Sequence, residues 1–519
     1  MIHLYLSYWR EVERECSIGQ VRGRLYGLLL IAAAVFPASA AAAPVLVMAR
    51  GGRVTRRNDP FLTSRPATPA PAIAGAASSR AAPPPQRTPG RTVGSELARL
   101  YRTHQIDLAD YRSYSASFAA ALATVKRLSG TRAAELEAVI ENLHAIAAAG
   151  ELTSSRLPAL FLTLERNRQW WSTGPLLSSG QQVEFDGSQL VWEYYPGQGI
   201  ELQVLGTFGK ADGLYTAGPS DYQQLRQLLA EMIPLAAQRG GGLTWEYYFN
   251  FDGGSPPWTS AMSQGTALEA LTRASEAFGQ SSGSGGTAAQ PPAGSYLAIA
   301  ARALPIFTVP PPVGVRVPTP IGARYLQYSF AAGTDIINAF LQSLIGLYDY
   351  AHVSGNQQAQ GLFAAGDAQA RAELPQFVAG GWSLYQPGVE DSLDYHTLVT
   401  GFLDELCART GAPVYCATAR RFHADLTTPP ALTLLTTRTT AKAPFAVRFQ
   451  LSKYSHVGIV ITRGQDPVFE TSAYFGYGVG VFDAPPLPAG SYTVRLAATD
   501  LPGNFNRVEG SLQVAPRGR

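Results

Sequence analysis

Apolar residues recur at two different spacings along this chain. Between residues 95 and 425 they return every three or four positions, the spacing of one buried face of an α-helix. Sequential helices joined by short turns pack antiparallel, so residues 95–428 are predicted to form a mainly α domain, an (α/α) barrel or toroid. The helix-length segments are 110–128, 132–149, 157–171, 221–239, 261–278, 296–307, 334–353, 358–377, 391–410 and 414–425.

Strand-like alternation interrupts the helices once. Gln182–Phe185, Gln189–Tyr195 and Ile200–Val204 alternate apolar and polar residues, which predicts a small β insertion at about 180–206. The alternation returns over residues 430–517, where short runs with regular turn signals predict a C-terminal β-sandwich. The late strands of that region resemble an immunoglobulin- or fibronectin-like module. Nothing in that region indicates catalysis.

The N-terminal region has the features of an export signal. Arg22 and Arg24 precede the apolar run Leu25–Phe36, and Ala38-Ser39-Ala40 follows as a cleavage site. Residues 1–43 are therefore predicted to be an N-terminal extension with a signal segment; an uncleaved membrane anchor is the alternative. Residues 44–94 are rich in Pro, Ala and Arg, which predicts a disordered linker. The expected location is secreted or cell-surface.

Charge and cysteine content narrow the range of partners. The 41 basic and 38 acidic residues give a net charge of +3, too weak to indicate nucleic acid as a partner. Cys407 and Cys416 flank a turn between two predicted helices. An oxidising compartment permits a disulfide there, and two free buried thiols are the alternative. No Cys/His cluster indicates a metal, and no cofactor is expected.

An aromatic-rich segment, Leu243–Leu271, precedes one of the predicted helices. Its aromatic residues can stack on sugar rings, so the segment is predicted to line a glycan-binding cleft. The alternative is a loop that its own aromatics pack onto the core. The residues in question are Trp245, Tyr247, Tyr248, Phe249 and Trp258, with polar Gln264 nearby.

Several ordered motifs between residues 180 and 425 resemble one enzyme family. Pro257–Gly265 is similar to a W-x-x-x-x-x-Q-G segment, and Asn338–Asp349 is similar to an N-G-F…SLIGLYD helix. Gly381–Tyr385 is similar to a G-x-x-x-Y-D turn, and Asp394-Tyr395-His396 matches a DYH motif. Together they resemble the C-terminal domain of the D-glucuronyl C5-epimerases, enzymes that invert a uronic acid within a polysaccharide.

The resemblance implies a function and a set of site residues. It implies the α/α toroid and an epimerase of the heparosan-N-sulfate-glucuronate 5-epimerase type, acting on a uronic-acid-containing polysaccharide. A homodimer is a possible assembly of the chain. The family's functional tyrosines correspond to Tyr328, Tyr385 and Tyr395. His396 is a further catalytic candidate, and a structural donor at a helix start is the alternative for it. The expected substrate-binding residues are Arg324, Gln327, Trp245, Tyr247, Trp258, Gln264 and Asn338.

One motif of this chain departs from the family at its acidic positions. The family's Y-E-E-Y-P motif is Tyr325-Leu326-Gln327-Tyr328-Ser329 in this chain. Gln327 can hydrogen-bond a substrate but cannot take up a proton at neutral pH. Loss of a general base typically costs about 10²–10⁴-fold in rate. There are three alternatives to an epimerase that lacks this base. Glu246 or Asp394 replaces the base, the chain is a uronate lyase on the same scaffold, or it is a non-catalytic glycan-binding protein.

Overall fold

The computed structural model describes residues 42–63, 90–279 and 293–516, and these fall into two compact units. The first unit contains residues 42–63, 90–279, 293–334 and 342–369. The second contains residues 335–341 and 370–516. The predicted signal segment before residue 42 and the linker residues 64–89 lie outside the described residues.

Helices dominate the middle of the chain, as the apolar spacing predicts. A closed toroid stays a prediction. The α-helices of the described residues are α1 Val93–Arg102, α2 Leu108–Val125, α3 Gly130–Ala148, α4 Leu157–Thr173, α5 Val204–Ala217, α6 Tyr222–Met232, α7 Ala261–Gly279, α8 Ala293–Ala303, α9 Ile337–Ser354, α10 Gln357–Glu373, α11 Leu393–Thr410 and α12 Pro413–Asp425.

One helix prediction needs correction, and one helix was not predicted. Residues 221–239 were expected to be one helix, but α6 ends at Met232; Pro234 follows in a short 3₁₀ turn, and residues 237–239 form a strand. Proline lacks the N–H that would continue the helix. Helix α5 was not predicted, since its glycines lower the intrinsic helix propensity. It forms because one face packs on α7.

A five-stranded sheet lies in the first unit. Its strands are β1 Ala42–Met48, β2 Val54–Thr63, β3 Gln182–Phe185, β4 Trp192–Tyr195 and β5 Gly199–Leu202, in the order β2-β1-β3-β4-β5. β1 runs parallel to β3, and the other neighbours are antiparallel. The linker prediction is therefore wrong for residues 44–63. Local composition concealed these strands because β1, which holds β2 in the sheet, pairs with β3 far along the sequence.

The two faces of this sheet differ in character. One face is apolar and packs on α4, where Trp170 lies 6.2 Å from Phe185 and Trp171 lies 5.6 Å from Tyr194, ring centre to ring centre. The opposite face carries four buried carboxyl side chains and is called here the acidic face. Its members are Asp59, Glu184, Glu193 and Glu201.

The first unit also contains two small hairpins, each of which precedes residues of the candidate site. β6 Ala237–Arg239 pairs with β7 Gly242–Thr244, and β8 Arg316–Pro318 pairs with β9 Ala323–Tyr325. The first hairpin leads into the aromatic segment, and the second leads into Tyr328. Both segments therefore start from fixed backbone.

The second unit begins with a three-stranded sheet next to α11 and α12. Its strands are β10 Val378–Ala379, β11 Trp382–Gln386 and β12 Val389–Glu390. Helix α11 starts at the cap Ser392, whose hydroxyl accepts from Tyr395 N at 3.3 Å, and ends at Gly411 in a left-handed conformation. Cys407 and Cys416 form a disulfide between α11 and α12, so the bridged alternative is the one present.

The C-terminal region consists of two sheets that share one hydrophobic core. One sheet has the order β13-β15-β18 and the other β14-β20-β19-β16-β17. Kinship with immunoglobulin modules stays a prediction. β17 is exposed along most of its length. The strands are β13 Leu432–Leu434, β14 Arg438–Thr440, β15 Phe445–Leu451, β16 Ser455–Arg463, β17 Asp466–Phe475, β18 Gly478–Ala484, β19 Gly490–Asp500 and β20 Phe505–Ala515.

Candidate functional site

The aromatic segment and Tyr328 form one continuous cluster in the first unit. Tyr247 and Trp258 pair through their backbones, and their rings stack 4.2 Å apart at 13°. The ring of Tyr328 lies 5.6 Å from that of Trp258. Such contacts fix the rings as a group. The aromatic cluster, as it is called below, consists of Tyr195, Tyr247, Phe249, Phe251, Trp258, Tyr328 and Phe330.

Polar contacts hold the Tyr247 side chain of the cluster in place. The Tyr247 hydroxyl lies 2.7 Å from Ser263 Oγ and 3.3 Å from Gln203 Oε1, and Leu205 N donates to it. Burial raises the pKa of Tyr247 to about 12. Tyr247 is therefore a neutral hydroxyl in this setting and a poor proton acceptor at neutral pH.

Trp245 and Gln264 occupy the core behind the cluster. Trp245 is 1% exposed, and its indole donates to the Met232 carbonyl at 2.8 Å. Gln264 Nε2 donates to the Trp245 carbonyl at 3.1 Å. Gln264 Oε1 has no hydrogen-bond partner among the described residues. The contacts of Trp245 are those of a packing residue, so the geometry gives no support to its predicted role in substrate binding.

Glu246 is fully enclosed by positive charge. Arg156 binds its two oxygens at 2.7 and 2.9 Å, Arg239 binds at 2.7 Å, and the Tyr248 hydroxyl donates at 3.0 Å. Burial alone raises the pKa of Glu246, but the two arginines outweigh it and hold that pKa below its ordinary value. A carboxylate with such partners is structural, which removes it as a replacement for the missing base.

The segment that replaces the family's acidic motif is held by its backbone. Leu326 N donates to the Val315 carbonyl, and the Leu326 carbonyl accepts from Ala261 N, both at 2.9 Å. The Tyr325 hydroxyl donates to the Leu362 carbonyl at 2.7 Å. Gln327 is half-buried between these anchors, and its Oε1 has no hydrogen-bond partner in the described ranges. Arg324 is half-buried on β9.

The second unit brings two of the predicted tyrosines together. Tyr385 lies on β11 and Tyr395 in the first turn of α11, and their rings meet edge to face at 5.1 Å. Tyr385 is buried, whereas Tyr395 is half-buried. Asp394, the neighbouring carboxyl, is half-buried, and burial raises its pKa. Asn338 is the second residue of α9, and its Oδ1 accepts from Ala339 N at 2.9 Å.

His396 lies in a closed hydrogen-bond chain. Its ring stacks on Trp382 at 3.8 Å, Nε2 faces the Phe422 carbonyl at 3.1 Å, and Nδ1 lies 2.8 Å from Ser383 Oγ. Ser383 Oγ lies 2.5 Å from Asp391 Oδ2. Burial lowers the pKa of His396 to about 4 and raises the pKa of Asp391 to about 7.

This chain gives His396 the contacts of a structural residue. A carbonyl accepts only, so Nε2 carries the proton and Nδ1 is left as an acceptor. The Ser383 hydroxyl then donates to Nδ1 when Asp391 is protonated and to Asp391 when it is ionised. Since the His396 side chain is 0% exposed, its geometry gives no support to a catalytic role.

Sequence reasoning overlooked Glu193 and Glu201. They lie opposite each other on β4 and β5, and both are buried. Burial raises the pKa of Glu201 well above its ordinary value. The alternation of β4 and β5 was recognised, and continuing it across the turn would have placed these two acids side by side.

Two general features of the described chain bear on the site. Its His, Cys, Asp and Glu side chains form no group of three or more that is placed to hold a metal ion. None of its helices combines the length and apolar character needed to cross a bilayer.

Comparison with known proteins identifies one matching region. Residues 240–424 match the family described as D-glucuronyl C5-epimerase C-terminus. A D-glucuronyl C5-epimerase of Caenorhabditis elegans is 32% identical over 143 residues, covering 25% of this chain and 21% of that protein. The chain thus spans about a fifth of that relative's length. Residues 240–424 are therefore similar to the C-terminal region of D-glucuronyl C5-epimerases.

Solved structures offer weaker likenesses. CopC from Methylosinus trichosporium OB3b is 19% identical and covers 17% of this chain and 98% of its own, with a TM-score of 0.15. An endo-beta-1,4-mannanase double mutant from Cellulomonas fimi is 14% identical and covers 73% of this chain and 85% of its own, with a TM-score of 0.13.

Proposed function

We propose that this chain inverts C5 of uronic acid residues within a polysaccharide. The observation that carries the proposal is the match of residues 240–424 to the epimerase family, a segment that contains Tyr328, Tyr385 and Tyr395. The aromatic cluster supports a sugar ligand, because aromatic rings stack on the apolar faces of sugars.

The reaction requires proton transfer on two faces of the sugar. The C5 proton is acidic because it adjoins the uronate carboxylate, and its removal gives an enediolate that accepts a proton from the other side. Groups on each side must hold or release that proton, and donors must stabilise the charge that develops. The candidates for proton transfer are the three tyrosines that correspond to the family's functional tyrosines, Tyr328, Tyr385 and Tyr395, each taken by itself.

A uronate lyase is the second candidate, and one observation favours it. Glu246 is sealed by Arg156 and Arg239, and Gln327 stands at the family's acidic position. A tyrosine-only site can still remove the C5 proton. Instead of being reprotonated at C5, the enediolate then forms the C4–C5 double bond as the C4–O bond breaks, and the departing oxygen takes up a proton from a tyrosine. A binding protein without catalysis is the third candidate.

One experiment separates the three candidates. The purified chain is incubated with uronate polymers in D₂O, and the products are examined by NMR and ultraviolet absorbance. Deuterium at C5 supports the epimerase, absorbance from an unsaturated uronate supports the lyase, and binding with neither signal supports the third. The epimerase proposal fails if C5 stays fully protonated under conditions where the polymer is bound.

The role of Tyr395 has its own test. Tyr395→Phe is expected to lower C5 exchange by about 10²-fold or more, because the variant loses a proton-transfer group. Tyr492→Phe is a matched control, since its hydroxyl donates to the Pro488 carbonyl at 2.8 Å within the C-terminal sheets. Undiminished exchange in Tyr395→Phe would remove this residue from the reaction.

We also propose an extracytoplasmic location. The Cys407–Cys416 disulfide supports it, because such bonds persist in oxidising compartments. A membrane anchor before residue 42 is an alternative to a cleaved signal. Cell fractionation tests the location, and recovery of the chain with reduced cysteines from the cytosol would contradict it.

A further inference from the structure

One row of residues crosses four strands on the outer face of the five-stranded C-terminal sheet, the face turned away from the shared core. Tyr474 on β17 pairs with His456 on β16. His456 also pairs with Thr499 on β19, which in turn pairs with Phe505 on β20. Paired residues point to the same face, and neighbouring strands lie about 4.8 Å apart. The row therefore extends over about 14 Å from Tyr474 to Phe505.

The two ends of this row are aromatic and open to solvent. Tyr474 is 57% exposed, and Phe505 is 55% exposed. Tyr454 stacks on the Tyr474 ring at 5.4 Å, and the His456 ring lies 5.0 Å from it, ring centre to ring centre, so the orientation of the Tyr474 ring is fixed. Exposed rings that a sheet holds in place can stack on the apolar faces of sugar rings.

Small residues dominate the next row along the same strands. Ser472, Gly458 and Ala497 occupy it on β17, β16 and β19. Arg507 on β20 completes it opposite Ala497. Because the first three side chains are short, the surface between the aromatic ends is shallow, and an extended chain of sugars can lie across it. The two rows together are called the platform below.

Arg507 gives the Phe505 end of the platform a positive charge. Its side chain is exposed and has no acidic partner in the part of the chain that the structure describes. Glu509, the next residue along β20 on the same face, is held by Arg495 at 2.7 Å. A guanidinium that no acid neutralises can bind a carboxylate through two parallel hydrogen bonds.

Two acids lie on the other, Tyr474 side of the platform. Glu470 is on β17, and its backbone lies about 16 Å from that of Arg507, given the spacing of the strands and their rise per residue. Burial raises the pKa of the Tyr454 hydroxyl, and the nearby Glu390 carboxylate raises it further. Charges more than about 8 Å apart at a surface are largely screened at physiological salt. A negative group of a ligand is therefore favoured beside Arg507, and an uncharged group beside Tyr474.

We propose that the platform binds a polysaccharide that contains uronic acids, with a uronate carboxylate on Arg507 and the apolar faces of sugar rings on Phe505 and Tyr474. It is a binding site separate from the three tyrosines that are candidates for proton transfer, and it lies outside residues 240–424, the region similar to the epimerases. The identity of the polymer rests on the proposed function.

Equilibrium binding of the full chain tests the platform. The probe is a polymer of alternating glucuronate and N-acetylglucosamine, and the matched probe is the same polymer with its carboxylates reduced to alcohols. Arg507→Gln is expected to weaken binding of the uronate polymer about tenfold and to leave the weaker binding of the reduced polymer unchanged. The double variant Tyr474→Ala/Phe505→Ala is expected to weaken binding of the uronate polymer about tenfold. Wild-type affinity in these variants, or no binding of the uronate polymer by the wild type, overturns the proposal.

The outer face of the other C-terminal sheet supplies matched controls. Arg448 on β15 lies opposite Val481 on β18, and both are exposed. Arg448→Gln and Val481→Ala are expected to leave polymer binding unchanged; losses as large as those of the platform variants would overturn the proposal. Sedimentation velocity tests a second copy of the chain as the occupant. A dimer that the platform variants convert to a monomer would assign the face to that second copy and would also overturn the proposal.

The platform and the proposed reaction fail in different ways. The platform variants are expected to keep wild-type C5 exchange on a short oligosaccharide at saturating concentration. Uronate binding that Arg507→Gln weakens, without any C5 exchange in the wild type, would contradict the epimerase and retain the platform. C5 exchange together with polymer binding that no platform variant weakens would do the opposite.

Discussion

The two ends of the acidic face place similar carboxyl groups in different electrostatic surroundings. At the β2 end, Asp59 and Glu184 are bound by Lys210, and Arg57 also contacts Glu184. At the β5 end, Glu201 has burial without a compensating cation. An ion pair that is buried and satisfied holds elements together, whereas an unneutralised carboxyl is costly unless it is protonated or bound by a ligand.

Other buried carboxyls follow the same division. Glu246 resembles the carboxyls at the β2 end, called here the neutralised end because cations bind them. Two arginines hold the pKa of Glu246 below its ordinary value despite burial. Asp391 resembles the other end, since burial raises its pKa to about 7 and only the Ser383 hydroxyl opposes the shift. Burial and the nearest cation act together: Lys210 holds the pKa of Asp59 below its ordinary value, whereas burial keeps the pKa of Glu184 above its ordinary value despite Lys210 and Arg57.

The largest effect is expected from removing the shared cation. Lys210→Met leaves Asp59 and Glu184 buried without Lys210 and should lower the free energy of unfolding by about 3–5 kcal/mol at pH 7. Urea denaturation measures this. Arg112→Met, an exposed change on α2, should stay within about 0.5 kcal/mol. A loss in Lys210→Met no larger than in the control would show that the neutralised end contributes little.

Asp391→Asn tests a buried carboxyl of the second unit whose pKa no cation lowers. The native pKa of Asp391 is about 7 and its ordinary value is 3.8, so its contribution to stability is fully present below pH 3.8 and is lost as the pH rises through 7. The wild-type chain should therefore lose on the order of 4 kcal/mol relative to Asp391→Asn between pH 4 and pH 8. Parallel stability curves for the two proteins would refute the assigned pKa.

Glu246→Gln tests a buried carboxylate that arginines neutralise, in the segment that supplies the aromatic cluster. The variant loses the charge that Arg156 and Arg239 bind, which should cost about 2–3 kcal/mol at pH 7. Because the native pKa of Glu246 is lowered, its stabilisation is present above the ordinary 4.5 and is lost as the pH falls through the native value. The gap between wild type and variant should narrow in acid, and a gap that widens there would contradict the ion-pair account.

The smallest effect on stability is expected for Glu201→Gln. An amide can replace a protonated carboxyl, so the change should cost less than about 1 kcal/mol at pH 5. The raised native pKa means that wild type, but not the variant, loses stability as the pH rises above 4.5. A large loss at pH 5 would show that Glu201 is ionised and paired, which would place it with the neutralised end.

Much of the local structure followed from residue spacing. The bounds of β3 were predicted to the residue, and most helices between 108 and 425 within a few positions. The glycine-rich α5 and the strands β1 and β2 were missed. Each of these forms through contacts with elements remote in sequence, as in the parallel pairing of Val47 with Glu184.

The candidate site, too, was predicted only in part. The motifs located Tyr385 and Tyr395, and the structure brings their rings to 5.1 Å. The motifs did not reveal that Trp245 lies in the core or that His396 lies in a closed chain with Ser383 and Phe422. Those outcomes depend on which polar atoms meet after folding, which a linear motif does not contain.

The sequence by itself determined the helical middle, the strand alternation that puts Glu193 and Glu201 on one face, and the similarity to the epimerase region. Only the tertiary structure decided which acids are neutralised, because Lys210 is 151 positions from Asp59 and 26 from Glu184. Electrostatic energy depends on distance through space, and folding sets that distance.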